Sequence, residues 1–183
     1  MAFSKIIAES MDLADTYNFT GTLQQNGASI GGNNKPAFQA KMTGVSTSFA
    51  EATLNTITSF NSEDFDTDNA FDTSTGKFTP QTSGKYYAEA QAHFNGNGSA
   101  SDLYMAYMQI YKNDAPSART VNQIDMRNHG GWGFGIKTAG VFSLNGTSDF
   151  LKVTASINTV SNSAGTLSGE SNYTYFRAFK IIE

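Results

Sequence analysis

From Pro36 onward, polar and apolar residues alternate with the two-residue period of β-strands, and turn residues interrupt the alternation at short intervals. The pattern predicts strands near Ala37–Thr43, Ser48–Phe60, Ala70–Phe78, Lys85–Phe94, Leu103–Lys112, Thr120–Met126, Phe134–Leu144, Phe150–Ile157 and Tyr173–Ile182. Between several of them lie the turn-forming runs Asn95–Gly96–Asn97–Gly98, Asn113–Asp114, Gly130–Gly131 and Asn145–Gly146. No stretch after Pro36 has a helical period, so the expected class is all-β.

Some of these strands are apolar on both faces. In Lys85–Phe94, Tyr86, Ala88, Ala90, Ala92 and Phe94 oppose Tyr87, Glu89, Gln91 and His93. In Leu103–Lys112, one face carries Leu103, Met105, Tyr107 and Tyr111, the other Tyr104, Ala106, Met108 and Ile110. The last strand sets Tyr173, Tyr175, Phe179 and Ile181 against Phe176, Ala178 and Ile182. A strand of an isolated sandwich shows one polar face. The second apolar face is therefore expected to be covered, most simply by another copy of the chain, with Tyr87, Tyr104, Met108 and Tyr175 near that contact. The competing reading is ordinary surface aromatics, because folded surfaces are already largely apolar.

The beginning of the chain is different. Its apolar residues Ile6, Ile7, Leu13, Tyr17 and Phe19 fit neither period cleanly and are too few for a core of their own. The stretch 24–35 is rich in Gly and Asn and reads as a linker. The expected division is a segment 1–35 that fastens to something else, and a domain 36–183.

Composition narrows the classes. Charged residues make up 15% of the chain, the net charge is −4, and there is no Cys, so disulfide and thiolate chemistry is excluded. The few basic residues are scattered, which argues against nucleic acid as a partner. No apolar run reaches the roughly 20 residues of a membrane-spanning helix. Glu9 and Asp12 interrupt what would be the apolar region of a signal peptide, so the chain is expected to fold in a cytoplasm.

Candidate chemistry is sparse. Asp64, Asp66 and Asp68 alternate as in a calcium loop, but the sixth position is Asn69 rather than Gly and the twelfth is Thr75 rather than Glu. Two histidines without Cys make a poor zinc set. There is no Gly-x-Ser-x-Gly elbow, and the carboxylates lack the apolar setting that glycoside hydrolysis needs. No catalytic residue, metal ligand or cofactor is assigned. One patch stands out: Arg127, Asn128, His129 and Trp132, around Gly130 and Gly131, hold the chain's one Trp. Two readings compete there. The indole stacks on a sugar ring, or it plugs the end of the sandwich or a gap between subunits; large aromatics are mostly buried, which favours the plug.

At residues 69–87 a signature emerges: Asp72, Thr75, Gly76, Phe78 and Thr79, then Pro80, Gly84, Tyr86 and Tyr87. It resembles the Asp-x-x-Thr-Gly-x-Phe-Thr and Pro-x-x-Gly-x-Tyr-Tyr runs of the complement C1q-like domain, with three residues rather than two between Pro80 and Gly84. Ala37–Phe38–Gln39–Ala40 is similar to that family's first strand, 140–144 with 150–153 to its penultimate hairpin, and 169–179 to its final strand. Two further departures are Thr147–Ser148–Asp149 in place of the usual Gly-Asp, and the missing cysteines, which favour a microbial or viral version. The resemblance implies a C1q/TNF-like jelly-roll β-sandwich that forms a homotrimer, and it keeps a weak calcium site open, since some such domains hold calcium. A second, less specific resemblance lies in Met11, Asp12, Leu13, Tyr17, Phe19, Thr20, Gly21 and Thr22, which look like the opening segments of bacteriophage fibre, tail and capsid-appendage proteins, marine ones especially. It implies a virion protein whose N-terminal segment is the anchor, whose partners are itself and other virion proteins, and whose outward end touches the host surface. The alternatives are a secreted or surface lectin-like C1q protein and a polysaccharide-degrading tail enzyme.

Overall fold

The computed structural model describes residues 34–96, 102–123, 132–170 and 172–182, with the backbone of Gln24–Gln25 and Ala28–Ser29. The chain divides into two compact units, Met1–Gly32 and Asn33–Glu183. In the first, β1 (Gln24–Gln25) and β2 (Ala28–Ser29) form a two-stranded antiparallel ladder.

The second unit is a sandwich of two antiparallel sheets, and no helix occurs among the described residues. The strands are β3 (Ala37–Lys41), β4 (Thr47–Phe49), β5 (Asn55–Thr56), β6 (Ser62–Asp66), β7 (Phe71–Asp72), β8 (Lys77–Phe78), β9 (Gly84–Asn95), β10 (Leu103–Lys112), β11 (Ala115–Gln123), β12 (Gly133–Leu144), β13 (Leu151–Thr159), β14 (Gly165–Leu167) and β15 (Tyr175–Lys180). One sheet runs β11-β10-β13-β8-β7, with β5 also on β13. In the other, β9 carries β12 on one side and β15 and β14 on the other; β3 and β6 continue beyond β15, and β4 beyond β14.

The core follows from the alternation. Tyr86, Ala88, Ala90, Ala92 and Phe94 of β9 are fully buried and face Ala106, Met108 and Ile110 of β10 and Val153, Ala155 and Ile157 of β13 in the opposite sheet. Small residues on β9 leave room for large ones opposite, as close packing requires. Phe38 stacks on Phe71 at 4.5 Å and Phe78 at 4.6 Å, and Phe176 meets it edge-on at 5.0 Å. Each such buried ring stabilises the fold by about 2 kcal/mol.

Two glycines are dictated by backbone. Gly76 closes the β7–β8 turn at φ +67°, and a Cβ there would sit 2.7 Å from the Ile57 carbonyl oxygen. Gly84 opens β9 at φ +146°, where the Lys180 side chain crosses it.

Several sequence expectations need correction. Ser48–Phe60 is not one strand; only Thr47–Phe49 and Asn55–Thr56 are extended, and they belong to different sheets. The strand expected near Thr120–Met126 begins earlier, at Ala115. β6 and β14 were not expected as strands, being short and rich in polar residues or Gly. The sidedness of β10 is also corrected: Met108 is 0% exposed and points into the core, so it cannot face a partner. Tyr104 is half-buried where the ladder shifts register between Leu103 and Met105, and it belongs to the sheet of β10 rather than to the one that carries Tyr87 and Tyr175. The outward residues of β10 are Met105, Tyr107 and Tyr111.

Candidate functional site

The outward face of the sheet containing β9 is built in cross-strand rows. Val141 of β12, Tyr87 of β9, Phe179 of β15 and Ala37 of β3 are register partners and form one row. Val141 and Phe179 remain exposed, and the Tyr87 and Phe179 rings lie 5.4 Å apart. This row is apolar across four strands.

The next row is ionic. Glu89 sits opposite Ala139 and Arg177, and Arg177 opposite Gln39. Although it points outward, Glu89 is 4% exposed, because its own partners cover it. Arg177 donates at 2.5 Å, Lys137 at 2.8 Å, and the Tyr87 and Tyr175 hydroxyls each at 2.9 Å. Burial acts to raise the carboxyl pKa, but the donors from Lys137, Tyr87, Tyr175 and Arg177 outweigh it and hold it at about 2. A buried carboxylate with four donors is a fixed anion and a poor proton acceptor.

Beyond Gln91, the ring of His93 packs 5.4 Å from that of Tyr173, and its Nδ1 is buried without a hydrogen-bond partner. Burial pushes its pKa down, against the opposing charge of Glu170. A Cβ on Gly133 would lie 3.1 Å from the His93 ring, so the glycine makes room for it.

The expected site residues divide accordingly. Tyr87 and Tyr175 come together on this face, linked through Glu89. Trp132 stands at the end of the sandwich and is 72% exposed, so within one protomer it plugs nothing. Arg127, Asn128 and His129 lie outside the described residues, as do Ile6, Ile7, Leu13, Tyr17 and Phe19. Among the described residues, no three His, Asp or Glu side chains converge as metal ligands. Asp64 pairs with Lys41, Asp66 accepts the Phe71 amide, and Asp72 caps its own turn through Ser74 and Thr75. The Glu89 cluster was missed because its partners come from strands distant in sequence.

Comparison with known proteins places this geometry. The C1q domain family matches residues 37–132. Among solved structures, the globular domain of zebrafish complement 1qA is similar at TM-score 0.54 and 17% identity, covering 81% of this chain and 99% of that one. Murine APRIL at pH 5.0 is similar at TM-score 0.56 and 13% identity, covering 79% of this chain and 98% of that one. No curated protein matches. The family match spans more than half of the chain, across the sheet that carries Tyr87 and Glu89: the protein belongs to the C1q domain family.

Proposed function

We propose that this chain is a non-enzymatic, trimeric structural or appendage protein of a bacteriophage virion, with its jelly roll turned toward the host surface. The observation that carries the trimer is the row Val141, Tyr87 and Phe179, an apolar strip on an outward sheet face. Exposed strips of that kind mark association surfaces, and C1q-type domains assemble as homotrimers. The particle rests on the resemblance of the opening segment around Asp12, Tyr17 and Phe19 to phage appendage proteins.

The first test is mass. Light scattering at micromolar concentration should give three times 19.7 kDa, and a monomer would remove the assembly reading. The second is location: peptides of this chain should be found in purified virions, and density for it in a cryo-EM map of the particle. The third is catalysis. Incubation with host exopolysaccharide or lipopolysaccharide should release no fragments; depolymerisation abolished by a single carboxylate substitution would favour the tail-enzyme alternative.

A further inference from the structure

The two ends of the sandwich differ in chemistry. At the end where β3 begins, the Pro36 carbonyl accepts from the Lys180 amide, and Lys112–Asp149 and Lys152–Asp114 ion pairs decorate the turns. The opposite end comprises, among the described residues, segments 42–48, 95–96, 102–103, 132–133, 158–170 and 172–174. The charged residues in these segments are Asp102 and Glu170. Asp102 is 5% exposed and its carboxylate is turned inward, accepting from the Ser161 amide at 2.8 Å and hydroxyl at 2.5 Å.

Large apolar side chains are exposed there instead: Val45 at 87%, Trp132 at 72%, Val160 at 53% and Tyr173 at 46%. Neighbouring bonds hold them at one end. The Trp132 carbonyl accepts from Gly96, and the Asp102 carbonyl from Val160. A Cβ on Gly96 would lie 3.0 Å from that of Asp102, which ties the two tips together. Asn162 and Asn172 sit beside them on exposed, left-handed turns.

We infer that this end is a contact surface for neutral glycans, with Trp132 as the stacking platform. The inference rests on the host-facing part of the proposed function and supplies its ligand class. A pyranose offers an apolar C–H face to an indole and hydroxyls to neutral amide and hydroxyl groups, the two chemistries displayed here. The exposed charge in the described segments is the Glu170 carboxylate, which disfavours an anionic glycan or a lipid phosphate.

The test uses the full chain on a printed panel of neutral bacterial oligosaccharides, with carboxylated and sulfated sugars on the same slide. Trp132 is the sole Trp, so its emission reports on this end alone. Neutral sugars that bind should shift that emission to the blue and shield it from acrylamide. Trp132→Ala should weaken binding about tenfold with the melting temperature and assembled mass unchanged, and Lys152→Ala, at the charged end, should bind as the parent does. Binding confined to anionic sugars, no binding on the panel, unchanged emission, or full affinity in Trp132→Ala would each overturn the inference. So would loss of the trimer in Trp132→Ala, which would make the indole a plug between subunits. A monomeric protein that still binds neutral sugars through Trp132 would overturn the assembly reading and leave this one standing.

Discussion

Arg177 and Glu89 face one another across β15 and β9, and the guanidinium donates to the carboxylate at 2.5 Å. With Lys137 on the other flank, one buried anion is held between two half-exposed cations on three adjacent strands. Glu89→Gln keeps the shape but removes the charge that both cations need. The folded chain should lose about 2 kcal/mol, read as a lower urea midpoint with an unchanged slope. An unchanged midpoint would show that solvent screens the cluster.

Stability should fall in two acid steps. His93 resists protonation when folded, so the unfolded chain takes up the proton first, near 6.5. Its contribution is complete above that value and declines as the pH drops below it toward the lower folded value. Glu89 titrates at about 2 in the fold against an ordinary value of 4.5, so its contribution is lost between those two values. Urea melts across this range should show both declines, the first absent in His93→Gln and the second in Glu89→Gln.

Val141→Asp and Phe179→Asp each place a charge in the apolar row of the outward sheet face. Both side chains are exposed in the protomer, so folding should survive while the assembled mass falls toward 19.7 kDa. Met108→Asp should behave differently: it puts a charge in the core and should prevent folding. A trimer that persists in both row variants would place the subunit contact elsewhere.

A chain beginning at Pro36 retains all strands from β3 to β15 and should fold and trimerise. It should nevertheless fail to join particles that lack the full-length protein. Circular dichroism and light scattering read the first outcome and complementation of virions the second. Normal incorporation would end the anchoring role of Ile6, Ile7, Leu13, Tyr17 and Phe19.

The inner face of β9 is legible in the sequence because the alternation there is strict: Tyr86, Ala88, Ala90, Ala92 and Phe94 can share only one side. The stretch expected as one strand, Ala70–Phe78, folds instead as β7 and β8 about the left-handed Gly76, while the strand opening at Gly84 is legible. β10 is not, since Met105 and Tyr107 are as apolar as Ala106 and Met108, and only packing against the other sheet decides which pair turns inward. The fragments β4 and β5 are hidden for another reason: Thr, Ser and Asn fill the stretch, and its pairing partners lie about a hundred residues downstream in β13 and β14. Glu89 is invisible as a hub for the same reason, with Lys137 and Arg177 brought in from separate strands.

β9 and β12 each run 12 residues in unbroken register, from the charged end to the end that carries Trp132. At ~3.3 Å per residue, such a pair is a strut of about 40 Å. The loops at its far end can exchange residues without touching the Phe38 cluster or the Tyr87 row. The proposed recognition surface and the proposed assembly surface are thereby mechanically separate, and a lineage could retarget the tips while inheriting the strut unchanged.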